Sequence, residues 1–105
     1  MLDSSLFVSD TIHPMEVEVA NEQKVILHFR ELPAVEFIKF HSAIKQADED
    51  TRAQAAARLI VASLCEPDGS TALTMEQALR LKTKPLDAIF SAVLEVNGGN
   101  KPGKL

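Results

Sequence analysis

The sequence contains no tryptophan, no tyrosine and a single cysteine, Cys65. One cysteine cannot form an intramolecular disulfide, so we expect a reducing compartment. Without tryptophan or tyrosine, stacking platforms for single-stranded bases would have to come from the five phenylalanines alone. The net charge of −4 repels phosphate backbones. We therefore expect no nucleic-acid partner.

Long apolar runs are also missing. No stretch approaches the roughly 18 residues that indicate a membrane span, and residues 1–5 lack the basic and apolar regions of a signal peptide. We therefore expect no membrane partner and a cytoplasmic location. A chain of 105 residues supports one hydrophobic core, and residues 1–97 are predicted to form a single globular domain.

Alternating residues near the amino terminus predict two strands. Residues 15–19 alternate apolar and acidic side chains, the period of two that indicates a half-buried strand. Residues 24–30 alternate again, with an apolar residue at every second position. The short polar connection between them predicts a β-hairpin, which must pack on another element to be stable. Residues 1–12 are interpreted as a loose lead-in that can add a short edge strand.

Two helices are predicted next. Pro33 suits a first helical turn, where its missing N–H is not needed, and this helix extends to about Gln46. The segment 52–65 is rich in alanine and strongly helix-prone. Asp50 or Thr51 is expected to cap it.

Two more helices and a tail follow. Thr74 and Gln77 form the capping-box pattern of a short third helix. Pro85 is expected to begin a fourth helix with one apolar stripe, and Gly98 to end it. Residues 98–105 are predicted to be a flexible carboxy-terminal tail. Strands followed by helices indicate an α+β fold, an amino-terminal β-hairpin packed on a small bundle of about four helices.

The turn at residues 66–69 invites a calcium interpretation. If Gly69 takes the sixth position of an EF-hand loop, Leu64 and Met75 fall at the first and twelfth positions. Those positions require carboxylates. We therefore predict no calcium site at this turn.

Catalytic chemistry finds no support in the histidines or the cysteine. His13, His28 and His41 lie in different predicted elements, so they do not form the i, i+4 pair of a zinc site. The alternation points His28 toward solvent or a partner. Cys65 and His41 could imitate a nucleophile and its base, but a small buried thiol at a helix end is ordinary. We predict no catalytic, metal-binding or cofactor-binding residues, and no enzyme.

The remaining charged and glycine-rich motifs are also weak. The pairs at residues 98–99 and 103–104 are not a phosphate loop, because no strand precedes them and no helix can follow. Arg80, Lys82 and Lys84 are the densest basic cluster. They are interpreted either as a solvated helix end or as a docking patch for an acidic partner.

The order and spacing of these elements are similar to those of a known family. The segments that carry the resemblance are Phe29-Arg30-Glu31-Leu32-Pro33-Ala34, Phe37, Ala62-Ser63-Leu64-Cys65, Pro67-Asp68-Gly69, Leu73-Thr74, Leu81, Leu86, Ile89 and Phe90. Over residues 15–97, the chain resembles the tail assembly chaperones of long-tailed bacteriophages. Residues 1–14 do not add to the resemblance.

The resemblance implies a function and two partners. Such chaperones bind the tape measure protein before the tail tube forms around it, keep it soluble, and are absent from the finished virion. Many families also make a longer form by a programmed ribosomal frameshift, whose extension is thought to recruit tail tube protein. The ending at residues 103–105 fits such a site. The implied location is the bacterial host cytoplasm, and a homo-oligomer is a further expectation.

Two other classes of binding protein are compatible with the sequence. One is a small structural tail or head-completion protein that stays in the particle. The other is an acidic regulatory binding domain, such as an anti-repressor or an antitoxin-like partner of a basic protein. A chaperone requires exposed apolar surface together with a net charge that keeps it soluble.

Overall fold

The computed structural model describes residues 2–46 and 48–98. The elements are a one-turn 3-10 helix Ser4–Leu6, β1 Ile12–Ala20, β2 Gln23–Arg30, α1 Ala34–Ile44, α2 Glu49–Ser63, β3 Leu64–Cys65, α3 Met75–Leu79 and α4 Thr83–Val96. The predicted α+β class is confirmed, since a hairpin precedes four helices. In residues 2–11, the described part of the lead-in, there is no strand, and β1 is one edge of the sheet.

The hairpin forms where the apolar alternation predicts it. β1 and β2 pair antiparallel, with Val17 opposite Val25 and Met15 opposite Leu27. This register puts Met15 and Val17 of β1 on the same face as Leu27 and Phe29 of β2, and this face packs against α4 and α2. Glu22 lies in the turn with φ of 62°, a left-handed conformation that few non-glycine residues adopt.

Residues 64 and 65 differ from the prediction. The second helix ends at Ser63, and Leu64 and Cys65 pair with β2 as a third strand, giving the sheet order β1-β2-β3. The Ser63 hydroxyl donates a hydrogen bond to the Arg30 carbonyl at 2.8 Å, which joins the helix end to β2. Both Leu64 and Cys65 are buried in this position. Local helix propensity therefore yields to tertiary burial.

Two helix starts also lie earlier than predicted. Asp48, not Asp50 or Thr51, caps α2: its carboxylate accepts from the Asp50 N–H at 3.2 Å and from the Thr51 hydroxyl at 2.8 Å. The last helix, α4, begins at Thr83, with Pro85 at its third position. The first N–H groups of a helix have no intrahelical acceptor, so proline is still accommodated there.

The capping box of the third helix is present. The Gln77 N–H donates to the Thr74 hydroxyl at 3.1 Å, and the Gln77 side-chain oxygen accepts from the Thr74 N–H at 2.8 Å. Both free N–H groups are satisfied, so α3 forms although it has only five residues.

The core lies between the inner face of the sheet and the two long helices α2 and α4. Its largest fully buried side chains are Phe29, Ile60 and Val93. The amide of Leu32 donates to the side-chain oxygen of Asn97, which joins the end of α4 to the segment before α1. The side-chain nitrogen of Asn97 donates in turn to the Val93 carbonyl at 2.8 Å.

Truncation of the predicted tail tests where the folded domain ends. Residues 99–105 lie outside the described part of the chain, while α4 is complete at Val96 and closed by Asn97. The hydrogen bonds that Asn97 makes with Leu32 and Val93 do not involve the tail. Removing residues 99–105 is therefore expected to leave the melting temperature nearly unchanged. Thermal unfolding of the two chains measures this. A loss of several degrees would show that the tail contributes to the folded domain.

Candidate functional site

No helix in the described part of the chain is both long and apolar enough to cross a membrane. Within residues 2–46 and 48–98, no three His, Cys, Asp or Glu side chains lie close enough together to hold a metal ion.

The three histidines lie at separate places in the fold. His13 contacts Glu31 at 3.1 Å, and the His41 ring packs edge-on against Phe40. His28 faces away from the core as predicted, but β3 beside it leaves it half-buried.

The Cys65 thiol is not activated as a nucleophile. Its partner across the sheet is His28 rather than His41. Burial raises the pKa of the Cys65 thiol, and the charge of Arg30 offsets only part of that increase. A thiol with a raised pKa stays protonated at neutral pH, and the protonated form is a poor nucleophile.

The turn considered for calcium is closed by its own side chains. One oxygen of the Asp68 carboxylate accepts from the Ser70 N–H at 2.9 Å and from the Ser70 hydroxyl at 2.7 Å. These hydrogen bonds lower the pKa of Asp68. Gly69 has φ of 89°, which favours glycine. The arrangement stabilises a turn and orients the Asp68 carboxylate toward Ser70.

The basic cluster lies at the connection between α3 and α4. Arg80 follows the last residue of α3, Lys82 precedes the first residue of α4, and both are exposed. Lys84 lies 3.9 Å from Glu18 of β1, a solvated ion pair of the kind that contributes little to stability. The cluster is thus a solvent-facing surface, as both interpretations of the sequence require.

Exposed apolar side chains are concentrated in two segments of the molecule. Nine large apolar residues of the described chain are exposed, and seven of them lie before residue 12 or in α1. The seven are Leu2, Leu6, Phe7, Val8, Val35, Ile38 and Ile44. Scattered exposed leucines need no explanation, but their concentration in two segments makes these segments the candidate binding surfaces.

α1 is an apolar helix without a single buried residue. It packs chiefly on α2, and its Phe40 ring reaches Phe90 of α4 with ring centroids 5.3 Å apart. The opposite side of α1 carries Val35, Ile38 and Ser42, which the helical period places together; we call these the outer face of α1. Ile38 is 65% exposed. An amphipathic helix normally turns its polar side outward, so this face is available to a partner.

The second apolar segment is residues 2–11, which we call the amino-terminal arm. Asp3 caps its short 3-10 helix by accepting from the Ser5 N–H at 2.9 Å. Within the described residues, no hydrogen bond joins residues 2–8 to the rest of the protein. Phe7 is 60% exposed, and its neighbours Leu6 and Val8 are exposed as well.

Glu31 holds the base of the amino-terminal arm. Its carboxylate accepts from the Ser9 N–H at 2.9 Å and from the Ser9 hydroxyl at 3.2 Å, and it contacts the His13 ring at 3.1 Å. The backbone hydrogen bond from Ser9 is the largest cause that lowers the pKa of Glu31, followed by the bond with His13. No local pattern predicts this contact, because Ser9 and His13 lie 22 and 18 residues from Glu31.

The lowered pKa of Glu31 predicts a dependence on pH. A carboxylate whose pKa is depressed in the folded state stabilises that state above its unfolded pKa, here 4.5, and loses the effect as pH falls through the folded pKa. The difference in melting temperature between wild type and Glu31→Gln is therefore expected at neutral pH and should vanish in acid. If His13→Asn abolishes the trend, the pair with His13 carries it rather than the Ser9 bond.

The chain matches no protein-family model and no curated protein by sequence. Its fold is similar to a solved structure, the tail assembly chaperone of bacteriophage HK97. The two share 14% sequence identity with a TM-score of 0.56, over 81% of this chain and 85% of the HK97 chain. At this identity the similarity concerns the fold, and it extends over most of both chains.

Proposed function

We propose that this chain is a tail assembly chaperone of a long-tailed bacteriophage. It binds the tape measure protein in the host cytoplasm, keeps it soluble while the tail assembles, and is not retained in the virion. The observation that carries the proposal is an exposed apolar surface on a fold similar to that of the HK97 chaperone. This is a binding role, and no step of it requires catalysis.

The outer face of α1 is the part of that surface best suited to a client. The face is backed by α2 and by the Phe40–Phe90 contact, so it is presented on a regular helix rather than on a loop. A client helix that buries Val35 and Ile38 removes apolar area from water at about 25 cal/mol per Å². The net charge of −4 helps to keep the free chaperone soluble despite this exposure.

Co-expression tests the proposal directly. The tape measure protein encoded beside this chain is expected to remain soluble when both are produced, and to co-purify with it. A chain carrying Ile38→Asp serves as the matched negative control, because it places a charge on the outer face without touching the core. Equal solubility of the tape measure protein with and without this chain would contradict the proposal.

The composition of purified virions separates this function from a structural one. A chaperone is expected to be absent from the particle by mass spectrometry, whereas a tail or head-completion component would be present in fixed copy number. If this chain is instead a regulatory binding domain, it should co-purify with a repressor or a toxin and not with the tape measure protein.

The proposal includes a longer form of the chain. A programmed frameshift near the carboxy terminus would append a second module, which recruits tail tube protein. The folded domain is compatible with this, because α4 is complete at Val96 and Gly98 is exposed. Mass spectrometry of infected cells would detect the longer product, and size-exclusion chromatography would show whether the chaperone also self-associates.

A further inference from the structure

The amino-terminal arm borders a groove that the proposed function does not use. Leu6, Phe7 and Val8 line it on the side of the arm. The domain contributes the polar side chains of Glu31 and Asn97 together with Leu32, Ala34, Val96 and Gly98. The groove has a volume of about 360 Å³ and opens to solvent. The domain side of the groove is held in place, because Leu32 is almost fully buried and its amide donates to the side-chain oxygen of Asn97.

Charge is distributed very unevenly along the chain, and the arm lies in its acidic part. The first 23 residues contain five carboxylates and no lysine or arginine, so the rest of the chain has eleven cations against ten carboxylates. The whole charge excess of the protein therefore comes from the arm and β1. Asp3 and Asp10 lie within the arm itself, and both are exposed.

From these two observations, we infer that the arm and its groove form a second protein-binding surface, which takes a segment of a partner in which lysine or arginine flanks leucine or phenylalanine. The apolar side chains of such a segment would pack against Leu6 and Phe7, which are both exposed. Its cations would lie beside the carboxylates of Asp3 and Asp10. The inference goes beyond the proposed function and does not depend on the identity of the client.

The attachment of the arm suits this use. Glu31 fixes the base of the arm through Ser9, while residues 2–8 have no hydrogen bond to the described body of the protein. Leu6 and Phe7 can then adjust to a bound segment without loss of a hydrogen bond to the domain. Nucleic acid is disfavoured as the occupant, because the carboxylates repel phosphate.

A synthetic peptide pair tests the inference on the full chain. The probe is an 18-residue helical peptide with leucine on one face and lysine on the other, and its control has glutamate in place of lysine. Fluorescence anisotropy is expected to show binding of the lysine peptide, weakened at high salt, and none of the glutamate peptide. Leu6→Ser with Phe7→Ser is expected to weaken binding at least about tenfold.

Matched charge variants separate a defined site from general attraction to an acidic protein. Two double variants each remove two carboxylates from the first 23 residues. The first is Asp3→Asn with Asp10→Asn, both in the arm, and the second is Glu16→Gln with Glu22→Gln, both outside it. The first pair is expected to weaken binding several-fold more than the second. Equal effects, or unchanged binding with Leu6→Ser and Phe7→Ser, would overturn the inference.

Three further outcomes identify which idea fails. Arm-dependent binding to phosphatidylcholine vesicles or to an oligonucleotide, with no binding of the lysine peptide, would overturn the inference in favour of that other partner. A client that stays soluble while the peptide fails to bind would overturn this inference alone. A peptide that binds through the arm while the tape measure protein is not protected would support the inference and contradict the proposed function.

Discussion

Replacing Phe29 with alanine is expected to destabilise the fold by about 3–5 kcal/mol. Phe29 is 0% exposed and lies in the central strand, with His13 opposite it on β1 and Leu64 opposite it on β3. The substitution removes the ring from the point where the sheet meets α2 and α4, and the surrounding backbone cannot collapse into the space. Urea denaturation followed by circular dichroism measures the change.

Ile26 on the same strand is the matched control. It points to the other face of the sheet and is 57% exposed, so Ile26→Ala should change the free energy of unfolding by no more than about 0.5 kcal/mol. The comparison keeps the strand the same and varies the burial of the side chain. A large loss at Ile26 together with a small one at Phe29 would mean that the core faces of the hairpin are reversed.

The hairpin could be predicted because its signal is local. An apolar residue at every second position from 15 to 19 and from 24 to 30 fixes the face of each strand, and the polar connection fixes the register. The capping box at Thr74 and Gln77 is local in the same sense. Such patterns depend on neighbours within about four residues, and the structure confirms both.

The third strand could not be predicted in this way. Leu64 and Cys65 continue an alanine-rich helical segment, and two residues are too few to show a period of two. They leave the helix because β2 offers a free edge and because Leu64 becomes buried there. The choice of Asp48 as the cap of α2 could not be predicted from local sequence either. It depends on where the preceding turn ends, and Asp50 and Thr51 are equally suitable capping residues by type.

The candidate site was even less accessible from sequence. Apolar residues at helical spacing in α1 predict a helix that packs on something, and Val35 and Ile38 are indistinguishable from core residues in that pattern. Their exposure depends on α1 packing through one side only, which is a property of the assembled domain. The arm gave no signal either, because its base is fixed by Glu31 across a long sequence separation.

Replacing Val35 and Ile38 together by serine is expected to abolish protection of the client without unfolding the chaperone. Both side chains lie on the outer face of α1 and are 47% and 65% exposed, so their removal leaves the core intact. Exposed positions of this kind usually change stability by no more than about 0.5 kcal/mol each. In a client interface they would be central apolar anchors, whose loss costs about 2 kcal/mol or more in binding, roughly 30-fold in Kd.

The matched control removes the same kind of side chain from elsewhere on the surface. Ile26→Ser with Leu79→Ser also exchanges two exposed large apolar residues for serine, on β2 and α3, which lie outside the outer face of α1. Solubility of the co-expressed tape measure protein and its recovery with the chaperone are measured for both double variants, after thermal unfolding shows that each is folded. Protection of the tape measure protein should be lost only with the α1 variant. Val35 and Ile38 share one face of a single helix, whereas Ile26 and Leu79 lie on two different elements. Loss with both variants would mean that general surface hydrophobicity holds the client, and retention with both would exclude α1 as the binding element.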